Sequence, residues 1–354
     1  MVLRIGAALL TLAIIAGCGS SAPGSQPQAV ARHLVYQKMT GDTGIWIADV
    51  DGSNARLLVA GGVEPAISPD GKLVAYDGGC NQSGSCKGAY IVSTSGGGDP
   101  RQISKELVAI SWSPDSERIV ATDPGIHDAP DATLLNIDVA SGKAITLAHG
   151  NVYGASFSPD GKQIVFAVAK KPAHDGWIDE EINLFVTSRD GGKAKQITDD
   201  GQSAWPVWGP KSIAFAKLIP TPQWGRDELW QVQPDGSRRR AIIAPLPKRF
   251  LGQGYQGLVP VDWSEDGSAL LAGWINEWGA IPIAVDPQTG DARQLVEFQG
   301  AEPVALSRAG DLALVFGIDS EGSHPERNTV LAVPYGGGKA QVLAQGAAAA
   351  SWNR

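Results

Sequence analysis

Apolar residues recur along the chain in short alternating or β-branched runs, and each run stops within a few residues at a cluster of Ser, Pro, Asp, Asn or Gly. That periodicity predicts strands joined by tight turns, with no segment of helical period. The runs fall into two alternating units. The first is an apolar segment, a Ser/Pro/Asp/Gly turn and a β-branched or aromatic segment: AISPDGKLVAY (66–76), SWSPDSERIVAT (111–122), SFSPDGKQIVFAV (156–168), VWGPKSIAFAK (207–217), DWSEDGSALLAGW (262–274) and LSRAGDLALVFG (306–317). The second carries DG, SG, TG or GG at its turn, where positive φ is needed, as in IWIADVDGSNARLLV (45–59) and LFVTSRDGGKAKQIT (184–198).

Seven second units occur and six complete first units, with a seventh first unit split between the ends of the chain. HLVYQK (33–38) matches its second strand and AAASWNR (348–354) its first. The pattern therefore predicts an all-β, seven-bladed β-propeller of four-stranded antiparallel blades, closed by the C-terminal strand pairing into the N-terminal blade. Residues 33–354 divide into about 46 per blade, a length that suits four short strands and their turns. Stacked sheets would not repeat seven times at even spacing. The 44 Gly and 23 Pro, spread along the chain, agree with many short elements. A formal charge of −8 argues against nucleic acid as a partner, because phosphate contacts need clustered Lys and Arg.

Residues 1–17, MVLRIGAALLTLAIIAG, read as a secretory signal too short to span and stay. The tetrad Ile15-Ala16-Gly17-Cys18 resembles the bacterial lipobox, which implies a lipid on Cys18 and an extracytoplasmic protein held at the cell membrane or outer membrane. Residues 18–32, rich in Gly, Ser, Pro and Gln, cannot bury a core and read as a flexible tether to a propeller at 33–354. Cys80 and Cys86, five small or polar residues apart, are expected to form a disulfide in an oxidising compartment.

The SPDGKxIVF and DxDG units and the terminal SW resemble the TolB-type β-propeller, the WD40-like PD40 repeat, over nearly all of 33–354. Such repeats specify fold and say little of function. TolB carries an α/β domain ahead of a six-bladed propeller, for which the short tether here has no room.

The recurring turn acids Asp51, Asp70, Asp160, Asp190, Asp235 and Asp266 are read as turn-forming, because an Asp before Gly bonds to its own backbone. Trp112, Phe157, Trp208, Trp263 and Trp352 share one repeat position and should pack between blades. No G-x-S-x-G elbow, H-E-x-x-H or phosphate-cradling glycine loop occurs. His127, His174 and His324 fall in loops of blades that are not all neighbours, so no metal site and no cofactor is expected.

Departures from the repeat say more. Trp177, Trp224 and Trp278 occupy the strand 2 to 3 loops of three consecutive blades, and Trp205 enters an inner strand from the same face. Phe250 and Tyr255 lie in the long connection between blades 5 and 6, with Arg226, Lys248 and Arg249 nearby. Aromatics of this kind are enriched at binding hot spots and sugar-stacking platforms, and the basic residues favour an anionic partner. The expectation is a lipid-anchored, monomeric, non-catalytic propeller that binds a cell-envelope protein or glycan. The alternative is a carbohydrate-active lyase or hydrolase using the loop-rich face.

Overall fold

The structure, a computed structural model, describes residues 32–353 apart from 79–87, 106–110, 123–132, 172–179, 220–224, 246, 249–255, 277–278, 298–299 and 318–327. Among the described residues every regular element is a strand. Repeat 1 contributes β1 (His33–Lys38), β2 (Gly44–Asp49) and β3 (Arg56–Ala60), and repeat 2 β4 (Val63–Ile67), β5 (Leu73–Gly78), β6 (Gly88–Ser93) and β7 (Arg101–Gln102). Repeat 3 is β8 (Ser111–Trp112), β9 (Arg118–Thr122), β10 (Thr133–Asp138) and β11 (Ala144–His149); repeat 4 is β12 (Val152–Phe157), β13 (Gln163–Lys171), β14 (Glu180–Ser188) and β15 (Lys195–Gln196). Repeat 5 is β16 (Ser203–Trp208), β17 (Ile213–Ile219), β18 (Arg226–Val232) and β19 (Arg240–Ile243); repeat 6 is β20 (Gln256–Trp263), β21 (Leu270–Asn276), β22 (Gly279–Val285) and β23 (Ala292–Gln294). Repeat 7 is β24 (Ala301–Leu306), β25 (Leu312–Gly317), β26 (Thr329–Pro334) and β27 (Gln341–Gln345), after which β28 (Ala347–Trp352) returns to repeat 1.

Pairing within each repeat is antiparallel between consecutive strands, and β28 pairs antiparallel with β1, Leu34 opposite Trp352 and Lys38 opposite Ala347. This is the closure expected from the split unit. Hydrogen bonding groups the strands into five four-stranded sheets and one of eight, because β18 and β20 of repeats 5 and 6 run parallel at Arg226–Gln256 and Asp227–Gly257. Two repeats are thus joined edge to edge where separate blades were expected.

The core lies between repeats rather than inside them, since a single antiparallel sheet has two faces to cover and no helix to cover them. Buried clusters join each repeat to the next. Ile45 and Ile47 of repeat 1 pack with Val74 and Tyr76 of repeat 2, Leu229 of repeat 5 packs with Leu258 of repeat 6, and Leu34 of repeat 1 packs with Leu314 and Val330 of repeat 7. The last of these completes the ring.

Two polar devices fix the spacing of the repeats. The innermost strands β28, β12 and β20 each carry a Ser or Asp one residue before the shared aromatic position, and it accepts the backbone N–H of the next innermost strand: Ser351 Oγ from Ile67 (3.3 Å), Ser156 Oγ from Trp208 (3.1 Å) and Asp262 Oδ2 from Leu306 (2.8 Å). Where that residue is Ala66 or Val207, the indole of the next repeat donates to its carbonyl instead, Trp112 at 3.0 Å and Trp263 at 3.2 Å. On the outside, the fourth strand hands a long polar side chain to a carbonyl in the turn of the following repeat. Arg56 reaches Thr94, Arg101 reaches Val139, Lys195 reaches Asp235 (2.9 Å), Arg240 reaches Pro287 (3.2 Å) and Arg293 reaches Tyr335.

Candidate functional site

The turn acids behave as expected with one exception. Asp70 Oδ1 accepts from Ser68 Oγ (2.7 Å) and Lys72 N (3.1 Å), Asp160 repeats this geometry with Ser158 and Lys162, and Asp266 accepts from Ser264 Oγ (2.8 Å) and Ser268 N (2.9 Å). Asp51 and Asp235 accept from Ser53 N (2.9 Å) and Ser237 N (2.8 Å). These bonds favour the charged form: Ser268 N–H first, then the hydroxyls of Ser268 and Ser264, hold the Asp266 carboxyl at about 2. Asp190 differs, its carboxylate lying 3.7 Å from Arg118 of the preceding repeat while its own N–H donates to Ser188 Oγ. Phe157, Trp263 and Trp352 are buried between repeats, and Trp112 and Trp208 are half-buried.

Of the residues singled out as a binding surface, Trp205, Arg226 and Lys248 are described. Trp177, Trp224, Trp278, Arg249, Phe250 and Tyr255 lie outside the described residues, as do Cys18, Cys80, Cys86 and the histidines His127, His174 and His324. Arg226 is exposed at the start of β18, where repeats 5 and 6 join. Trp205 lies toward the same end of repeat 5, two strands away on innermost β16.

The innermost strands share a bulge that the repeat pattern alone does not disclose. Pairing slips between Val63 and Ala66, Val152 and Ala155, and Ala204 and Val207, and again in β20, β24 and β28. At one position, three residues before the shared aromatic or aliphatic end of the strand, Glu64 (φ 51°), Gly154 (89°), Trp205 (49°) and Ala349 (39°) are all left-handed, and Pro260 and Pro303 stand there in β20 and β24. A bulge re-aims the extra residue, and a propeller's innermost strands surround its axial channel. Among the described repeats the bulge position is therefore one slot repeated around that channel, filled by Glu64, Gly154, Trp205 and Ala349 in four repeats and by proline in two. A Cβ on Gly154 would stand 3.2 Å from Trp205 Cα, a tight contact, so glycine eases the close approach of β12 and β16.

The filling is uneven. On the side of repeats 4 and 5, Tyr153 and Trp205 meet edge to face with centroids 5.9 Å apart, both half-buried. On the side of repeats 7 and 2, Glu302 and Glu64 flank β28, whose first four residues are alanine. Both carboxylates reach solvent, yet the protein around them raises their pKa values, and the charge of Glu302 raises that of Glu64 further. Tyr153, Glu64 and Glu302 were missed because each sits in a run that reads as ordinary strand; the available signal was their departure from the small or β-branched residues usual at those two positions.

No protein-family model matches the chain. Two curated proteins are 30% identical over parts of it: the uncharacterized protein Atu1656 of Agrobacterium fabrum over 143 residues, 39% of this chain and 44% of that protein, and dipeptidyl-peptidase 5 of Porphyromonas endodontalis over 128 residues, 35% of this chain and 16% of that protein. The chain thus spans under half the length of either. Among solved structures, the β-propeller domain of the Trilobed protease from Pyrococcus furiosus superposes with a TM-score of 0.60 at 13% identity, covering 88% of this chain and 93% of that one. TolB from Acinetobacter baumannii gives 0.50 at 14% identity over 90% and 81%, and an oligogalacturonate lyase in complex with manganese gives 0.57 at 15% over 88% and 83%. The protein is a β-propeller of the TolB type in fold.

Proposed function

We propose that this propeller is an extracytoplasmic binding protein, held to a membrane by lipid on Cys18, that takes a protein or glycan of the cell envelope at the loop-rich mouth of its channel and performs no chemistry on it. The observation that carries the reading is the contrast, at a bulge shared by the innermost strands, between the large or charged side chains of Trp205 and Glu64 and the Gly154, Pro260, Pro303 and Ala349 that fill the same slot elsewhere. A purely structural slot would be filled alike from repeat to repeat. An aromatic pair on one side and two carboxylates on the other suit a ligand with a flat or apolar part and a cationic or hydrogen-bonding part. The basic residues Arg226 and Lys248 at the rim are exposed and extend the surface toward anionic groups.

The test is affinity capture from detergent-solubilised envelopes with the wild-type protein, Trp205→Ala and Trp205→Phe. Loss of about 2 kcal/mol in affinity for the captured component in Trp205→Ala, partly restored in Trp205→Phe with an unchanged melting temperature, supports the reading. Equal affinity in all three contradicts it.

A second reading, a carbohydrate-active enzyme, is favoured by the placement of two carboxylates, Glu64 and Glu302, on the innermost strands either side of β28, near enough for the charge of Glu302 to raise the pKa of Glu64. It requires that the purified protein cleave oligosaccharides and that Glu64→Gln or Glu302→Gln abolish the cleavage. Cleavage that survives both changes excludes these two residues as its acid and base.

A further inference from the structure

Where the first strand turns into the second and the third into the fourth, consecutive repeats leave clefts on one face of the ring. The cleft between repeats 2 and 3, of about 680 Å³, is lined by Asp99, Glu117 and Asp138 against the lone cation Arg101, which is occupied with the Val139 carbonyl. Its counterpart between repeats 5 and 6, of about 570 Å³, is lined by Lys211, Arg238, Arg239 and Arg240 with no acid among its lining residues. The groove itself is a product of the repeat; its charge is not. In a chain of net charge −8 this concentration of cations needs a cause.

The fold accounts for two of the four. Arg240 is the outer clasp to Pro287, and Arg239 is paired with Asp199 (3.6 Å) and Asp200 (3.4 Å). Lys211 and Arg238 are exposed and have no ion pair among the described residues. The nearby acids are hydrogen-bonded within their own turns, Asp235 to Ser237 N and Asp266 to Ser264 and Ser268, although the charge of Asp266 still acts weakly on Lys211. Arg238 also sits at φ 53°, the conformation that Asn54 adopts in the matching turn of repeat 1 and that a long side chain adopts less readily.

The same face is where the chain joins the ring. β1 begins there at His33, whose N–H donates to Asn353 Oδ1 at 2.6 Å and whose carbonyl accepts from Asn353 N at 3.2 Å. Fourteen residues separate Cys18 from His33, a length of chain that spans at most about 50 Å. A lipid at Cys18 would hold the turn face within that distance of a bilayer.

We propose that the cleft between repeats 5 and 6 is a subsite for phosphate-bearing headgroups of anionic lipid, so that the turn face rests on the membrane and the loop-rich mouth points away from it. The orientation rests on the lipid-anchored reading above; the headgroup affinity does not. The chemistry fits, because each basic residue near an anionic surface adds attraction that salt screens.

The experiment uses the full chain carrying Cys18→Ser, so that no acyl chain contributes, and co-sedimentation with vesicles of phosphatidylcholine alone or with phosphatidylglycerol. The expected result is binding to the phosphatidylglycerol vesicles that weakens as salt rises and falls roughly fivefold in each of Lys211→Ala and Arg238→Ala. Glu117→Gln in the opposite cleft should leave it unchanged, and thermal unfolding confirms that the variants fold. Equal binding to both vesicle types, or binding insensitive to Lys211→Ala and Arg238→Ala, overturns the proposal. A melting temperature raised by inorganic phosphate through these two residues, without vesicle binding, assigns the cleft to a free anion and overturns the lipid source. Labelled palmitate incorporation at Cys18 is read separately, so a failure of the anchor and a failure of the cleft are told apart.

Discussion

Asp262 offers the most direct view of how the ring is held. Its carboxylate is buried, and it accepts the N–H of Trp263 at 2.8 Å and, across the boundary between repeats 6 and 7, the N–H of Leu306 at 2.8 Å. Asp262→Ala strands both donors. An unsatisfied buried donor costs about 1–3 kcal/mol, so two cost about 4 kcal/mol at the middle of the range, reduced somewhat because a buried carboxylate is itself expensive. With an unfolding entropy near 2.1 cal/mol/K per residue, a loss of about 4 kcal/mol lowers the melting temperature of a body of this size by about 6 °C. The repeat supplies its own control, since Ser351 and Ser156 make the cross-repeat bond from the matching position. Asp262→Ser should therefore keep the bond to Leu306 and lose only about 1–2 kcal/mol. The assay is urea and thermal unfolding of both variants. An Asp262→Ala protein within 1 kcal/mol of wild type, or an Asp262→Ser protein as damaged as Asp262→Ala, would refute this account of the inner zipper.

Trp352 Nε1 is buried with no acceptor among the described residues, whereas Trp112 Nε1 donates to Ala66 at 3.0 Å, so Trp352→Phe should cost about 1 kcal/mol less than Trp112→Phe in the same unfolding assay. Glu64 has its folded pKa raised by partial desolvation from the protein around it and by the charge of Glu302, so its contribution is fully favourable below the unfolded value of about 4.5 and is lost as pH rises through the folded one. Glu64→Gln should then match wild type in melting temperature near pH 4 and exceed it at pH 7; equality at pH 7 would contradict the assignment. Asp266 is the opposite case, held at about 2 by Ser268 N–H and the neighbouring hydroxyls, so its contribution is present above pH 4 and lost as pH falls toward 2. Asp266→Asn should flatten the fall of the urea midpoint between pH 4 and pH 2.

Much of the fold was legible because the repeat writes the same physics many times. SPDG fixes a turn through an Asp that caps its own backbone, and AAASWNR and HLVYQK announce the closure of β28 onto β1 by completing each other's unit. The join between β18 and β20 was not legible, because two strands meeting in parallel over Arg226 and Asp227 leave no mark on apolar periodicity. Nor was the inner bulge. Glu64, Gly154, Trp205 and Ala349 share no residue type, and a left-handed slot shows in sequence only when glycine or asparagine fills it. Trp205 was singled out as an aromatic outside the repeat, and its partner Tyr153 was not, because nothing local says that β12 and β16 lie side by side. The outer clasp was not read either, because its donor is an ordinary Arg or Lys at the start of the fourth strand and its acceptor belongs to the turn of the next repeat, about forty residues away.

The claim on which the rest depends is that the mouth of the channel receives an envelope partner. A photo-crosslinking amino acid placed at Trp205 in the protein made by its own cell, and another placed at exposed Val342 on the outer strand β27, test it most directly. The account predicts a discrete crosslinked protein or glycan adduct from position 205 and none at that mass from position 342. Identical adducts from both positions, or none from position 205, would contradict it.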